Sequence, residues 1–290
     1  MNKLNILITG SNSQLGKSIK SIYKNFDKYR FYFKNKKRID ITKNDIEFFL
    51  IEKKINIIIN CAAYTNVNEA EHNQKNCDLI NHISVSNIAK LSKKLNILLI
   101  HISTDYIFDG KKRRPYLERD LPKPINFYGY SKLMGENSIK KINYNYLILR
   151  TSFLYSEYNK NFLKSILSNI KNNKILKVVD DQISCPTYAK DLAYAILKII
   201  ESTNSLKISY VKDTLNISNI GNISRYGFVK AVCETLNIEK QIIPINTKQI
   251  NVKRPKYSAL DNTKIFKKYK IKMPAWKLSL NKCLKNIYIK

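Results

Sequence analysis

The opening residues set the strongest constraint on the fold. A run of aliphatic side chains, Leu4–Thr9, meets Gly10-Ser-Asn-Ser-Gln-Leu-Gly16 and passes at once into an amphipathic stretch, Gln14–Tyr23. A strand that turns through glycine straight into a helix is the first unit of a parallel sheet with helical crossovers. Glycine suits the turn because no Cβ blocks it or the approach of a ligand. The helix start behind it offers free N–H groups and the positive end of a dipole, which together hold a phosphate. In the pattern G-x-x-G-x-x-G the middle position is Ser13, the next smallest choice, whose hydroxyl can also reach a phosphate oxygen. The competing reading is a plain strand-to-helix turn.

The rest of the first half repeats the unit. Strand-like runs at Ile55–Asn60, Ile97–Ser103 and Tyr146–Arg150, with a weaker one at Arg30–Phe33, alternate with helical periods at Lys43–Glu52, Asn76–Leu95 and Tyr128–Ile142. Apolar runs without polar alternation predict strands covered on both faces. The expected fold is therefore α/β, a Rossmann-type doubly wound parallel sheet with a smaller C-terminal substrate-binding lobe. After Arg150 the rhythm changes. Helical periods at Asn161–Asn172, Thr187–Glu201 and Ser224–Leu236 are separated by irregular stretches such as Asp180–Pro186 and Lys253–Asp261. Residues 1–150, with roughly 187–220, are expected to form the dinucleotide-binding domain, and 151–186 with 221–290 the second lobe.

A formal net charge of +30 raises the question of a nucleic-acid or anionic-membrane partner. The lysines are spread through every segment instead of forming one patch, so we expect neither partner, only a general preference for anionic small ligands. Cys61, Cys77, Cys185, Cys233 and Cys283 are odd in number, with no C-x-x-C pair and no Cys/His cluster. They read as reduced thiols of a cytoplasmic protein, and no metal site is expected. No apolar run approaches the ~18 residues that span a bilayer.

The stretch Tyr128-Gly-Tyr-Ser-Lys-Leu-Met-Gly-Glu136 places a tyrosine four residues before a lysine, as do Tyr32/Lys36, Tyr194/Lys198 and Tyr226/Lys230. Context separates them. The strand Ile97–Ser103 delivers Thr104 to its C-terminal end, where open α/β sheets bind ligands, and Tyr128 and Lys132 share one helix face. Reducing a ketone needs a hydride and a proton. A lysine ammonium about 5 Å from a phenol favours the phenolate by ~3 kcal/mol, about two pKa units, which suits the tyrosine to general acid work. Thr104 then binds the carbonyl oxygen, and Lys132 also grips the ribose of a nicotinamide nucleotide. The rival pairs sit in late amphipathic helices or at a strand end, and Tyr130 has Met134 at the required distance.

An ordered series of motifs extends the pattern: Asn60-Cys-Ala-Ala-Tyr-Thr-Asn-Val-Asn-Glu-Ala-Glu71, Ser103-Thr-Asp-Tyr-Ile-Phe-Asp-Gly110, Arg150-Thr-Ser-Phe-Leu-Tyr155, Asn161-Phe162, Asp181-Gln-Ile-Ser-Cys-Pro-Thr187 and Arg254-Pro255. With these the chain resembles the extended short-chain dehydrogenase/reductases, and among them the dTDP-4-dehydrorhamnose reductase family. The resemblance implies NAD(P)H-dependent reduction of the 4-keto group of dTDP-4-dehydro-β-L-rhamnose to dTDP-β-L-rhamnose, for a surface polysaccharide. It implies catalysis by Thr104, Tyr128 and Lys132. Cofactor contacts are implied at Gly10, Asn12, Ser13, Gln14, Leu15, Gly16, Asp40, Ile41, Ala62, Ala63 and Tyr64, with Tyr128 and Lys132. Contacts to a dTDP-sugar are implied at Thr65, Val67, Thr104, Asp105, Phe153, Asn161, Phe162, Gln182 and Arg254, and a homodimer is the assembly to test. Lys34, Lys36 and Lys37 follow the second strand with no acid before Asp40, which favours NADPH, with NADH as the alternative. Phe153 stands where the family commonly has a tryptophan, keeping the apolar face but losing the indole N–H.

Other functions stay in view. A sister 4,6-dehydratase would carry Thr-Asp-Glu where this chain has Thr104-Asp-Tyr106, so a ketoreductase is favoured. Reduction of another 4-keto-6-deoxy nucleotide sugar and a non-catalytic NADP-binding regulatory role are the remaining alternatives.

Overall fold

The structure, a computed structural model, describes residues 3–43, 46–172, 175–205, 210–247 and 252–288. Leu4–Thr9 (β1), Tyr29–Phe33 (β2), Ile57–Asn60 (β3), Leu98–Thr104 (β4) and Tyr146–Thr151 (β5) pair in parallel. With Lys212–Asn216 beside β5 they form a six-stranded sheet in the order β2-β1-β3-β4-β5 and then 212–216. Every residue of β3 and β5 is buried, which is why neither alternates with polar residues. Between them run the helices α1 (Gln14–Ile22), α2 (Ile46–Glu52), α3 (Val67–His72), α4 (Gln74–Asp78), α5 (Ser84–Lys94) and α6 (Phe127–Ile142). Residues 44 and 45 of the expected Lys43–Glu52 helix lie outside the described residues.

Successive side chains of β1 separate the two layers. Ile6 and Ile8 face one side, against Ile19 of α1 and Ile196 and Ile200 of a later helix, while Leu7 faces Leu50, Val85 and Ile88 on the other. Strand order reverses between β1 and β3, which flank each other with Thr9 opposite Asn60. Ligands bind at the carboxyl ends of strands at such a switch point.

After β5 come α7 (Phe162–Lys171), α8 (Ala189–Ser205) and α9 (Arg225–Thr235), with α8 returning to the sheet to pack against α1. A separate cluster gathers Phe153, Tyr155, Leu163, Tyr188, Phe228 and Trp276 with the helix Trp276–Tyr288. Full burial of side chains of this size stabilises by ~1.5–3 kcal/mol each. Among the described residues no helix is long and apolar enough to cross a membrane.

The single helix expected over Asn76–Leu95 is α4 and α5 joined by a π-helical turn, Leu79–Ile83. The wider turn accompanies tertiary bonds made by one of its residues. Asn81 is fully buried in it, and its amide accepts from Tyr64 N–H at 2.9 Å, donates to the Tyr64 carbonyl at 3.0 Å and donates to Ser131 Oγ at 3.0 Å. The turn thereby ties the segment after β3 to α6.

Candidate active site

β1 ends at Thr9, and Gly10 turns the chain with φ of +58°; a Cβ there would lie 2.6 Å from the Ala62 nitrogen. The loop needs glycine both for its backbone angle and for β3's approach. Ser13 caps α1: its Oγ accepts from Gly16 N–H at 3.1 Å, leaving its own proton free to donate. No acidic residue occupies the first turn of α1, so the positive end of the helix is unopposed locally. At the end of β2, Lys36 and Lys37 line the cavity described below. Lys34 turns away and lays its ammonium 4.6 Å over the Phe49 ring. Asp40 accepts from Thr42 N–H at 3.0 Å and Thr42 Oγ1 at 2.8 Å. Burial raises its carboxyl, but the Thr42 bonds with Lys36 and Lys43 outweigh that and hold it below the usual range.

On the other side of the switch point, Thr104 closes β4 and accepts from Tyr106 N–H at 3.2 Å. α6 starts at the cap residue Asn126, whose side chain accepts from Gly129 N–H at 2.8 Å. Two glycines let this helix lie close: a Cβ on Gly129 would overlap the Tyr106 carbonyl oxygen, and one on Gly135 the Asn81 carbonyl oxygen. Spacing four then stacks Tyr128, Lys132 and Glu136 along one side. Glu136 anchors the row. It is fully buried and accepts from Ser103 Oγ at 2.6 Å, Arg150 Nε at 3.0 Å and Arg150 Nη2 at 2.7 Å. Burial raises the Glu136 carboxyl, and Arg150 more than reverses this, so it stays ionised.

Lys132 Nζ donates to the Ile102 carbonyl at 2.6 Å and lies 3.1 Å from His101 Nε2. Burial depresses its ammonium to about 8, against the opposing charge of Glu136. Burial also pushes the Tyr128 phenol well above its ordinary value, with Thr104 acting in the opposite direction by hydrogen bond. From spacing alone, Lys132 is expected to lower that phenol by about two units. In this arrangement Lys132 Nζ is committed to Ile102 and His101, and desolvation of the phenol sets the direction of its shift.

The far end of the site is aromatic. Phe153 adopts φ of +42°. Its ring meets Phe162 edge-on at 5.4 Å and Phe228 at 4.8 Å. Arg225, the first residue of α9, lays its guanidinium 3.4 Å from the Phe153 ring centre and 5.1 Å from that of Phe162. Asp105 spreads its acceptors over the hydroxyls of Thr104, Ser152 and Ser258, joining β4 to the 252–261 segment. Across the gap, Asn161 Nδ2 and Ser156 Oγ both donate to Gln14 Oε1, at 2.9 and 2.8 Å, and Asn159 Nδ2 donates to the Asn12 carbonyl at 2.7 Å. The loop after β1 and the 156–161 segment are thus bonded directly.

One cavity of about 1080 Å³ runs from loop to aromatic wall. Of the residues expected at the site, Gly10, Asn12, Ser13, Gln14, Leu15, Asp40, Ile41, Ala62, Ala63, Thr65, Val67, Thr104, Asp105, Tyr128, Lys132, Phe153, Asn161 and Phe162 line it. Gly16, Tyr64, Gln182 and Arg254 do not. Gly16 packs beneath Gly10 and Ser11, and Gln182 donates to Thr247 Oγ1 at 3.2 Å. Arg254 donates to Asn68 Oδ1 at 2.9 Å. Arg225, Asn159 and the buried His101 escaped the sequence reading. Arg225 carries no signal beyond following a helix-capping serine, one cation in a chain full of them. His101 stands alone in an apolar strand, where the absence of ligand spacing hid it.

Comparison with known proteins agrees with this geometry. Residues 4–289 match the family model described as RmlD substrate binding domain. The chain is 34% identical to a dTDP-4-dehydrorhamnose reductase of Aggregatibacter actinomycetemcomitans, with 97% of each chain covered. It is 33% identical to a spore coat polysaccharide biosynthesis protein of Bacillus subtilis, with 90% of each covered. Among solved structures, dTDP-4-dehydrorhamnose reductase from Bacillus anthracis in complex with NADP superposes with a TM-score of 0.92 at 35% identity, covering 98% of this chain and 100% of that one. A parallel doubly wound sheet, a glycine phosphate loop and a Thr-Tyr-Lys cluster on one cavity, matched end to end by these relatives, show that the chain belongs to the RmlD family of dTDP-4-dehydrorhamnose reductases.

Proposed function

We propose that this chain uses NADPH to reduce the 4-keto group of dTDP-4-dehydro-β-L-rhamnose, giving dTDP-β-L-rhamnose. The observation that carries the reading is the meeting of Thr104, Tyr128 and Lys132 on a cavity that joins a phosphate loop to an aromatic wall. The residues present suit the cofactor. The capped start of α1 meets a pyrophosphate, and Lys36 with Lys37 meets the 2′-phosphate that distinguishes NADPH. When bound, the nicotinamide supplies hydride to the carbonyl carbon.

The chain's own groups supply the rest. Thr104, its hydroxyl proton turned from Asp105 to the substrate, donates a hydrogen bond to the carbonyl oxygen and orients it. Tyr128, kept protonated by burial, gives that oxygen its proton as negative charge develops there. Lys132 holds the ribose hydroxyls, and its charge then steadies the phenolate left behind. At the other end Phe153 and Phe162 offer apolar faces to the sugar nucleotide. Arg225 brings a positive charge toward its diphosphate. NADPH and nucleotide sugars are cytoplasmic metabolites, so the cytoplasm is the setting this reading requires.

The test is incubation of the purified protein and NADPH with dTDP-4-dehydro-β-L-rhamnose, and with 4-keto-6-deoxy sugars carried on UDP or GDP. NADPH absorbance gives the rate and NMR the product. Turnover confined to the dTDP sugar is expected. Turnover of only the UDP or GDP compounds would replace the substrate, and no NADPH consumption with any of them would end the reductase reading.

A further inference from the structure

A line of buried polar groups beneath Lys132 has no part in the reaction as described. Thr9 Oγ1 and the backbone N–H of Ala62 approach Asn60 Oδ1 at 2.7 and 3.2 Å. The backbone group can only donate, so it fixes which end of the Asn60 amide is oxygen. Asn60 Nδ2 then points at His101 Nδ1, 3.2 Å away. An amide nitrogen donates, so Nδ1 accepts and carries no proton. The proton of the neutral ring must sit on Nε2, the atom 3.1 Å from Lys132 Nζ. A doubly protonated ring would set two donors against each other at Nδ1, and burial alone already drives the imidazole below its ordinary pKa.

An Nε2–H facing an ammonium is also a clash of donors. The network closes only if Lys132 is a neutral amine, accepting from His101 while donating to the Ile102 carbonyl. Thr9, Asn60, His101 and Lys132 are each at most 1% exposed, so solvent does not rescue a mismatch. The other groups facing Lys132 do not demand its charge. Glu136, on its own helix, is paired with Arg150 and Lys140. Cys61 after β3 is pushed up to about 12 and Cys77 of α4 is raised, both by burial, and Tyr128 is held as the phenol.

We propose that His101 is a positioning residue that sets the protonation state of the catalytic lysine. As its Nε2–H tautomer it holds Lys132 as the neutral amine, and cofactor binding draws Nζ to the ribose hydroxyls as an ammonium that has taken one proton from solvent. The proposal rests on the reading of Lys132 as the ribose-binding lysine.

Two measurements test it. The chain has three histidines, so nitrogen-15 NMR of the imidazoles assigns His101 by comparison with His72→Gln and His82→Gln. At about pH 9 the wild type is expected to show protonated Nε2 and bare Nδ1; the opposite tautomer or a charged ring overturns the proposal. Calorimetry of NADPH binding in buffers of different ionisation enthalpy then counts protons, at about pH 9 where the phosphates of NADPH are fully ionised. Uptake of about one proton is expected in the wild type, and clearly less in His101→Leu, where the amine has lost its donor. No uptake in the wild type, or equal uptake in both, overturns it. A protein that reduces no sugar yet shows this tautomer and uptake would sink the reductase reading and leave this one standing.

Discussion

Beneath Lys132, polar side chains are buried and bonded to specific partners: Glu136 to Ser103 and Arg150, His101 to Asn60, Asn81 to Tyr64 and Ser131. Around Phe153 the contacts are between ring faces and edges, with the Arg225 guanidinium laid on one of them. Hydrogen bonds are directional and costly to leave unmade in a low-dielectric interior, so the floor fixes its groups closely. Ring contacts depend on area and tolerate a change of shape. Under the proposed function, the reacting groups would sit on the more closely fixed part of the molecule, and the sugar would be read by the part that tolerates change.

Arg150→Met puts the greatest strain on this contrast. It leaves the buried Glu136 carboxylate with only Ser103 and the part-exposed Lys140, and a loss of about 3 kcal/mol in chemical denaturation is expected. The pH profile carries a sign as well. Because Arg150 holds the Glu136 carboxyl below its usual range against the opposing effect of burial, its stabilisation is complete above the unfolded value of about 4.3. It fades as pH falls through the folded value; in Arg150→Met burial is left to raise the carboxyl, so the sign reverses and the variant's penalty eases as pH falls. Next comes Arg225→Met on the wall. The expected result is a KM for the sugar nucleotide raised about tenfold, with kcat nearly kept and stability lowered by only about 1 kcal/mol, the scale of a cation–π contact. If this variant unfolds as readily as Arg150→Met, the distinction between floor and wall is wrong. The smallest effect belongs to Phe162→Leu, which keeps an apolar contact: about 1 kcal/mol of stability or less, and a KM within about threefold of the wild type.

The sequence made the floor legible in part, because its parts are local. A strand, a glycine turn and a helix follow one another in β1 and α1, and the spacing of Tyr128, Lys132 and Glu136 survives intact on one side of α6. The partners of those groups are not local. His101 is on β4 and Asn60 on β3, and only sheet register sets them side by side. The π-helical turn was invisible for a related reason, since Asn81 bonds a backbone 17 residues away and a hydroxyl 50 away. On the wall, Phe153, Phe162 and Arg225 come from three separate stretches of chain, and nothing around Arg225 in the sequence distinguishes it from the many other cations. Lysine spacing misled at Lys34, which follows β2 like Lys36 and Lys37 but turns its charge onto Phe49.

That Tyr128 delivers the proton is the claim on which the rest depends, and Tyr128→Phe tests it most directly. The substitution removes one oxygen and leaves the ring against Tyr106. NADPH binding, followed by fluorescence, should stay within about threefold of the wild type, while kcat with dTDP-4-dehydro-β-L-rhamnose should fall by about 10²–10⁴. Turnover near the wild-type rate in a variant that binds NADPH normally would contradict the account.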